Sequence, residues 1–119
     1  MLTKKSRDTF REIMLSNLTP KELKSRLDAG EKFTLLDVRE PDEVAYCRLD
    51  GAVHMPMHSI PTRVAEIRQL LPVVVYCHHG IRSLQVCHYL EQNGLDYLYN
   101  LDGGIEEWAV SVDPALPRY

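Results

Sequence analysis

The stretch from Val73 to Ser83, VVVYCHHGIRS, constrains the fold of this chain more than any other. Its continuous run of β-branched residues is typical of a parallel strand buried on both faces. The run ends near Cys77, and four residues then separate this cysteine from Arg82, where an amphipathic helix begins. Because open α/β sheets place ligand sites at the carboxyl ends of their strands, we expect a functional site at this turn.

Cys77 is the predicted reactive residue of the turn. The thiolate is the nucleophilic form of cysteine, and both a helix amino terminus and a nearby cation stabilise negative charge on sulfur. We therefore predict that the turn amides and the Arg82 guanidinium ionise the thiol without a general base. Gly80 permits the positive φ that such a tight turn needs. The alternative is a buried core thiol, which the Gly-x-Arg-Ser ending of the turn disfavours.

Size and composition indicate one soluble domain. The chain has 119 residues, of which 45% are hydrophobic and 26% charged. Its net charge of −3 provides no basic excess for phosphates, so we expect no nucleic-acid partner. No apolar run reaches transmembrane length, and three irregularly spaced cysteines do not resemble a secreted disulfide framework. We expect a cytoplasmic protein with no membrane partner, present as a monomer or weak dimer.

Helix and strand signals alternate along the chain. Thr19 and Glu22 form a capping box, with Pro20 at the first helical position, and predict a helix that stops at Gly30. Further patterns predict strands at 33–38, 52–55, 73–76 and 97–99, and helices starting at 41, running over 59–70 and 82–93, and following 103–104. The alternation predicts a three-layer α/β fold, with a small, mostly parallel sheet of about five strands between helices.

Four ordered motifs resemble those of single-domain rhodaneses. They are LDVRE at 36–40, GAVHMP at 51–56, VYCHHGIRS at 75–83 and NLDGGIEEW at 100–108. The resemblance implies a rhodanese-like domain over 17–112, preceded by a short arm or helix at 1–16 and followed by a tail at 113–119. It also implies a sulfurtransferase that accepts sulfane sulfur from a donor such as thiosulfate. The acceptor would be cyanide or a thiol, carried by a small molecule or by a protein.

The resemblance also implies roles for the turn. Cys77 is the expected persulfide carrier, and the backbone N–H groups after it form an anion cradle with Arg82 as its charged wall. The expected substrate-binding loop consists of His78, His79, Gly80, Ile81, Arg82 and Ser83. We expect the two histidines to line the mouth of the pocket, although a solvent-facing position for one of them is an open alternative.

Three further residues are candidates for the pocket rim: Asp37, Arg39 and Arg48. We expect the first two to tie loops together through ion pairs. Cys47 and Arg48 stand where rhodaneses usually carry glycine and histidine. For Cys47, an inert, partly buried thiol is favoured over a resolving role against Cys77. We expect no cofactor and no metal, because the spacing of the histidines and cysteines fits no common zinc site.

Loop length separates two reactions of the cysteine. Protein tyrosine phosphatases, including those that share the rhodanese fold, have five residues between cysteine and arginine, whereas this chain has four. The shorter loop suits a single sulfur better than a phosphate, so a phosphatase is the weaker hypothesis. A third hypothesis is a non-catalytic or regulatory rhodanese-fold binding module. The presence of both Cys77 and Arg82 argues against it.

Overall fold

The computed structural model describes residues 14–119, which form a three-layer α/β domain with one parallel sheet. The strands are β1 (Ser16–Leu18), β2 (Thr34–Asp37), β3 (Val53–His54), β4 (Val73–Tyr76) and β5 (Leu98–Leu101). Their order across the sheet is β1-β5-β4-β2-β3, and each neighbouring pair is parallel. The predicted fold class is confirmed. The arm predicted at 1–16 lies mostly outside the described residues.

The described residues 14–119 also form five α-helices and one 3₁₀ segment, which connect the strands except for the last helix, which follows β5. The helices are α1 (Pro20–Asp28), α2 (Pro41–Tyr46), α3 (Val64–Arg68), α4 (Ile81–Gln92) and α5 (Gly104–Ser111), and the 3₁₀ segment is Met57–Thr62. The single helix predicted over 59–70 is therefore wrong. Pro61 lies inside the 3₁₀ segment, where its missing N–H and its ring oppose α-helical bonding. Arg63, with φ −122° and ψ 16°, then separates this segment from α3.

The predicted start of α1 is confirmed in detail. The Thr19 hydroxyl accepts a hydrogen bond from the Glu22 N–H at 3.1 Å. The Glu22 carboxylate in turn accepts one from the Thr19 N–H at 3.0 Å, which completes the capping box. Leu18 and Leu23, on either side of this cap, lie in the same core cluster.

Strand β1 was missed by the sequence patterns. It has only three residues, too few to show a periodicity, and it pairs with β5 at the edge of the sheet. Its register places Ser16 opposite Tyr99 and Leu18 opposite Leu101. The partner strand, rather than the local sequence, decides that these residues are extended.

The sheet divides the core into two clusters and brings the key loops to one edge. Val73, Val75 and Cys77 pack on one face of β4, whereas Val74 and Tyr76 pack on the other. All four β4 residues are fully buried, as predicted. Since the strands are parallel, the segments that follow β2, β4 and β5 meet at the carboxyl edge. Within 14–119, no helix is both long and apolar enough to cross a membrane.

Candidate active site

The Cys77 sulfur lies at the carboxyl end of β4, inside a tight loop that leads into α4. Gly80 turns the loop with φ +99°, the positive value predicted for it. The Cys77 Sγ accepts the N–H of Gly80 at 3.1 Å and the N–H of Ser83, in the first turn of α4, at 3.4 Å. Cys77 is only 1% exposed. Two backbone dipoles therefore present their positive ends to a nearly enclosed sulfur.

The glycine turn before α5 fixes the other side of the loop. The N–H of Ile105 donates to the Cys77 carbonyl at 3.0 Å, and the N–H of Glu106 donates to the His78 carbonyl at 3.1 Å. Gly104 allows this close approach, because a Cβ there would lie 2.6 Å from the Cys77 carbonyl oxygen. The loop carbonyls are thus held away from the sulfur, which leaves its amides facing inward.

A buried polar chain connects the sulfur to the far edge of the sheet. The Ser83 Oγ lies 3.4 Å from the Cys77 Sγ and donates to the Asn100 Oδ1 at 2.6 Å. The Asn100 Nδ2 donates to the Asn17 Oδ1 at 3.1 Å and to the Gly80 carbonyl at 3.4 Å. Sequence reasoning missed both asparagines. The position of Asn100 at the start of the NLDGG motif was the one available signal.

Arg82 is paired with a carboxylate from another element. Its Nη1 donates to the Glu43 Oε1 at 2.7 Å and its Nη2 to the Oε2 at 3.0 Å. These bonds from Arg82, against the opposing effect of burial, lower the pKa of Glu43 to about 2. The same bonds raise the pKa of Arg82, and the nearby Cys77 adds to that effect. In this structure the charge of Arg82, the predicted wall of the anion cradle, is compensated by Glu43.

Glu43 is the main site residue that the sequence did not reveal. Its carboxylate accepts four hydrogen bonds, since it also receives the N–H of Glu40 at 3.1 Å and the hydroxyl of Tyr119 at 2.7 Å. The sequence indicated only a helix start with acidic residues in its first turn. The contact with Arg82 spans 39 positions of sequence, so no local pattern could have shown it.

Tyr119 lies against the cysteine loop. Its ring stacks on the His78 ring, with centroids 3.8 Å apart and planes 13° from parallel. Its hydroxyl accepts from the Arg39 Nη1 at 2.9 Å while it donates to Glu43. Burial, chiefly, raises the pKa of Tyr119 to about 12, so the phenol keeps its proton at neutral pH. Burial and the neighbouring His79 lower the pKa of His78.

The remaining loop residues differ in their surroundings. The His78 ring is largely covered, and its Nε2 lies 3.7 Å from Glu106 without a hydrogen-bond partner. His79 is exposed and contacts His78 with a centroid distance of 3.9 Å. Ile81 is 70% exposed at the start of α4. The structure thus brings His78 against the site and directs His79 and Ile81 toward solvent.

Asp37 and Arg39 form a buried ion pair beneath the loops instead of an exposed rim. Arg39 donates through Nε to the Asp37 Oδ1 at 3.0 Å and through Nη2 to the Oδ2 at 2.8 Å. The same Nη2 donates to the Cys47 carbonyl at 2.7 Å, so the pair ties β2 to the end of α2. Burial would lower the pKa of Arg39, but hydrogen bonds to Asp37 and Tyr119 hold it above its ordinary value. These contacts join the loop after β2 to the end of α2.

Arg48 and Cys47 lie away from the sulfur, whereas Cys87 packs in the same core cluster as Cys77. Arg48 is exposed and lines a cleft that also includes Lys24 and Trp108. Cys47 packs in the cluster on the opposite face of the sheet from Cys77. Cys87 is fully buried, and burial raises its pKa to about 12. Among residues 14–119, no group of three or more histidine, cysteine or carboxylate side chains is placed to hold a metal.

The fold and the site together define a class of protein: a small parallel α/β domain with a thiol held by loop amides at the end of a central strand. Comparison with known proteins identifies the family. The chain belongs to the family described as the rhodanese-like domain, whose sequence profile matches residues 19–111.

Individual relatives agree with this assignment. A sulfurtransferase of Allochromatium vinosum is 42% identical over 96 residues, which cover 81% of this chain and 90% of that protein. The thiosulfate sulfurtransferase GlpE of Pseudomonas aeruginosa is 33% identical over 108 residues, covering 91% of each chain. A solved rhodanese-like domain protein of Staphylococcus aureus has a TM-score of 0.70 and 30% identity, and the match covers 87% of this chain and 98% of that one. These relatives support sulfur transfer as the general activity.

Proposed function

We propose that the protein is a cytoplasmic sulfurtransferase that moves sulfane sulfur from a donor such as thiosulfate to a nucleophilic acceptor through a persulfide on Cys77. The acceptor is cyanide or a thiol, borne by a small molecule or by a protein. The observation that supports this proposal most directly is that the N–H groups of Gly80 and Ser83 point at the Cys77 Sγ. The name of the Pseudomonas relative supports thiosulfate as a donor.

The first step is a displacement at sulfur. The Cys77 thiolate attacks the outer sulfur of thiosulfate, the new Cys77 S–S bond forms, and the S–S bond of thiosulfate breaks. Sulfite leaves with the bonding electron pair, and the negative charge of the thiolate passes to the outer sulfur of the persulfide. No proton is transferred, so the reaction needs an ionised thiol and a good leaving group rather than a general base.

The second step returns the cysteine to its starting state. Cyanide attacks the outer sulfur of the persulfide, a C–S bond forms, and the S–S bond to Cys77 breaks. Thiocyanate leaves, and the cysteine regains its thiolate. The Gly80 and Ser83 amides stabilise the Cys77 thiolate, which carries the negative charge before the first step and again after the second.

The Glu43 carboxylate shapes which anions the site can hold. It cancels the Arg82 charge in the resting structure, so the backbone amides of the loop, rather than an uncompensated cation, supply most of the attraction for the donor. Arg82 contributes mainly by fixing the first turn of α4 against α2. The two residues therefore act on the loop geometry that positions the sulfur.

Mass spectrometry of the intact protein tests the proposal. Incubation with thiosulfate should add one sulfur atom, and cyanide should remove it with release of thiocyanate. Cys77→Ala should abolish both changes, whereas Cys47→Ala, which removes a thiol from the opposite face of the sheet, should leave them intact. A wild-type protein that never gains sulfur from thiosulfate or from an organic persulfide would contradict the proposal.

A further inference from the structure

Tyr119 contacts the cysteine loop in a way that sulfur transfer itself does not explain. The ring stacks flat on His78, the residue directly after the reactive cysteine. The ring also lies edge-on to Tyr46, with centroids 5.8 Å apart and planes 76° from parallel. An aromatic side chain packed between two other rings covers surface that would otherwise border the loop.

The Tyr119 hydroxyl fastens this cover at its polar end. It accepts a hydrogen bond from the buried Arg39 guanidinium at 2.9 Å and donates one to the Glu43 Oε2 at 2.7 Å. Glu43 is itself bound to Arg82 on the far side of the loop. One side chain thus spans from the His78 side of the loop to the Arg82 side.

The exposure of the residues fits a cover over the sulfur. Tyr119 is 42% exposed, so solvent reaches one part of it while the stacked face is hidden. Cys77 below is 1% exposed. A sulfur donor must reach an atom that the resting structure almost encloses, and the Tyr119 ring stacks on the residue that directly follows this atom's cysteine in the loop.

We propose that Tyr119 is a specificity-determining residue, whose ring covers the cysteine loop and makes the site favour slender reactants over bulky ones. This inference concerns access to Cys77. Where it is applied to sulfur donors, it rests on the proposed function. A compact donor such as thiosulfate passes beside the ring, whereas a reactant with an aromatic group next to the reacting atom meets it.

Thiol alkylation tests access without any sulfur transfer. N-ethylmaleimide and N-pyrenylmaleimide share one neutral reactive group and differ in bulk. The rate at Cys77 is measured for each by peptide mass mapping, which separates it from Cys47 and Cys87. The measured quantity is the ratio of the bulky to the small reagent's rate, in which a change of thiol reactivity cancels.

Tyr119→Ala should raise this ratio about tenfold, the size expected for loss of a stacked aromatic contact and its buried area. Tyr119→Phe keeps the stacked ring and loses only the hydroxyl bonds to Arg39 and Glu43, so its ratio should rise less than that of Tyr119→Ala. Tyr97→Ala is the matched control, because Tyr97 is similarly exposed, at 43%, but lies beside the amino end of β4. Thermal unfolding checks that each variant is folded, and Tyr119→Leu replaces the alanine variant if that one is not.

An unchanged ratio in Tyr119→Ala, or an equally high ratio in Tyr119→Phe and in Tyr119→Ala, would overturn the inference. In a second arm, Tyr119→Ala should raise kcat/KM for benzenethiosulfonate relative to thiosulfate. If wild type transfers sulfur from neither donor while the maleimide ratio changes as expected, the proposed function fails and the inference about access stands.

Discussion

Replacing Glu43 by glutamine tests the central electrostatic contact of the site. The carboxylate accepts two hydrogen bonds from Arg82 and one from the hydroxyl of Tyr119, in addition to the N–H of Glu40 in its own capping box. Glutamine retains one acceptor oxygen but presents an NH₂ donor to the other groups. Glu43→Gln therefore removes the negative charge and places an NH₂ donor where Arg82 or Tyr119 needs an acceptor.

The size of the effect follows from the pKa of Glu43. Its hydrogen bonds to Arg82, chiefly, lower this pKa from 4.5 to about 2. At 1.36 kcal/mol per pKa unit, the ionised form gains about 3 kcal/mol from the folded structure. Because the Arg82 side chain is 33% exposed, water screens part of the attraction, and we expect a loss of about 2 kcal/mol in the free energy of unfolding at neutral pH.

The pH dependence separates this charge effect from simple loss of packing. A carboxylate with a lowered pKa binds its proton less tightly when folded, so its contribution is complete above the unfolded pKa, near 4.5, and is lost as the pH falls through about 2. The difference between wild type and Glu43→Gln should therefore be constant above about pH 6 and shrink to roughly half by about pH 3.

Urea unfolding from pH 3 to pH 7 measures this difference. Glu66→Gln is the matched control, because Glu66 pairs with Arg63 at the surface, where both side chains are at least 35% exposed. That variant should lose less than about 1 kcal/mol. Equal losses in the two variants, or a Glu43→Gln loss that does not diminish in acid, would refute the argument that Glu43 neutralises a partly enclosed cation.

Three other substitutions have defined expected outcomes. Gly104→Ala should strongly reduce the rate of thiocyanate release, because the added Cβ would lie 2.6 Å from the Cys77 carbonyl oxygen. Gly30→Ala is the control and should leave that rate intact, since Gly30 also has a positive φ but a Cβ there would have no atom within 4 Å. Asp37→Asn should cost about 3–5 kcal/mol of unfolding free energy, since it leaves a buried guanidinium without its charge partner, and an unchanged urea midpoint would contradict this. Asn100→Ala should cost about 1–3 kcal/mol in the same assay, because the Ser83 hydroxyl loses its buried acceptor, and an unshifted midpoint would show that water replaces the amide.

The sequence by itself determined the fold class, the central strand and the cysteine loop. A strand buried on both faces must be a continuous apolar run, and a helix start must satisfy its free N–H groups nearby, so β4 and the Thr19 cap of α1 were predictable from local pattern. The positive φ of Gly80 was predictable for the same reason, because few other residues adopt it.

Only the tertiary structure decided what surrounds the sulfur. Strand β1 is extended because β5 pairs with it, and the 3₁₀ segment replaces a predicted helix where Pro61 opposes α-helical bonding. Glu43 reaches the loop from 39 residues before Arg82, and Tyr119 reaches it from 41 residues after His78. Contacts between distant segments depend on how packed layers bring their loops to one edge of the sheet, and no periodicity in the chain encodes that meeting.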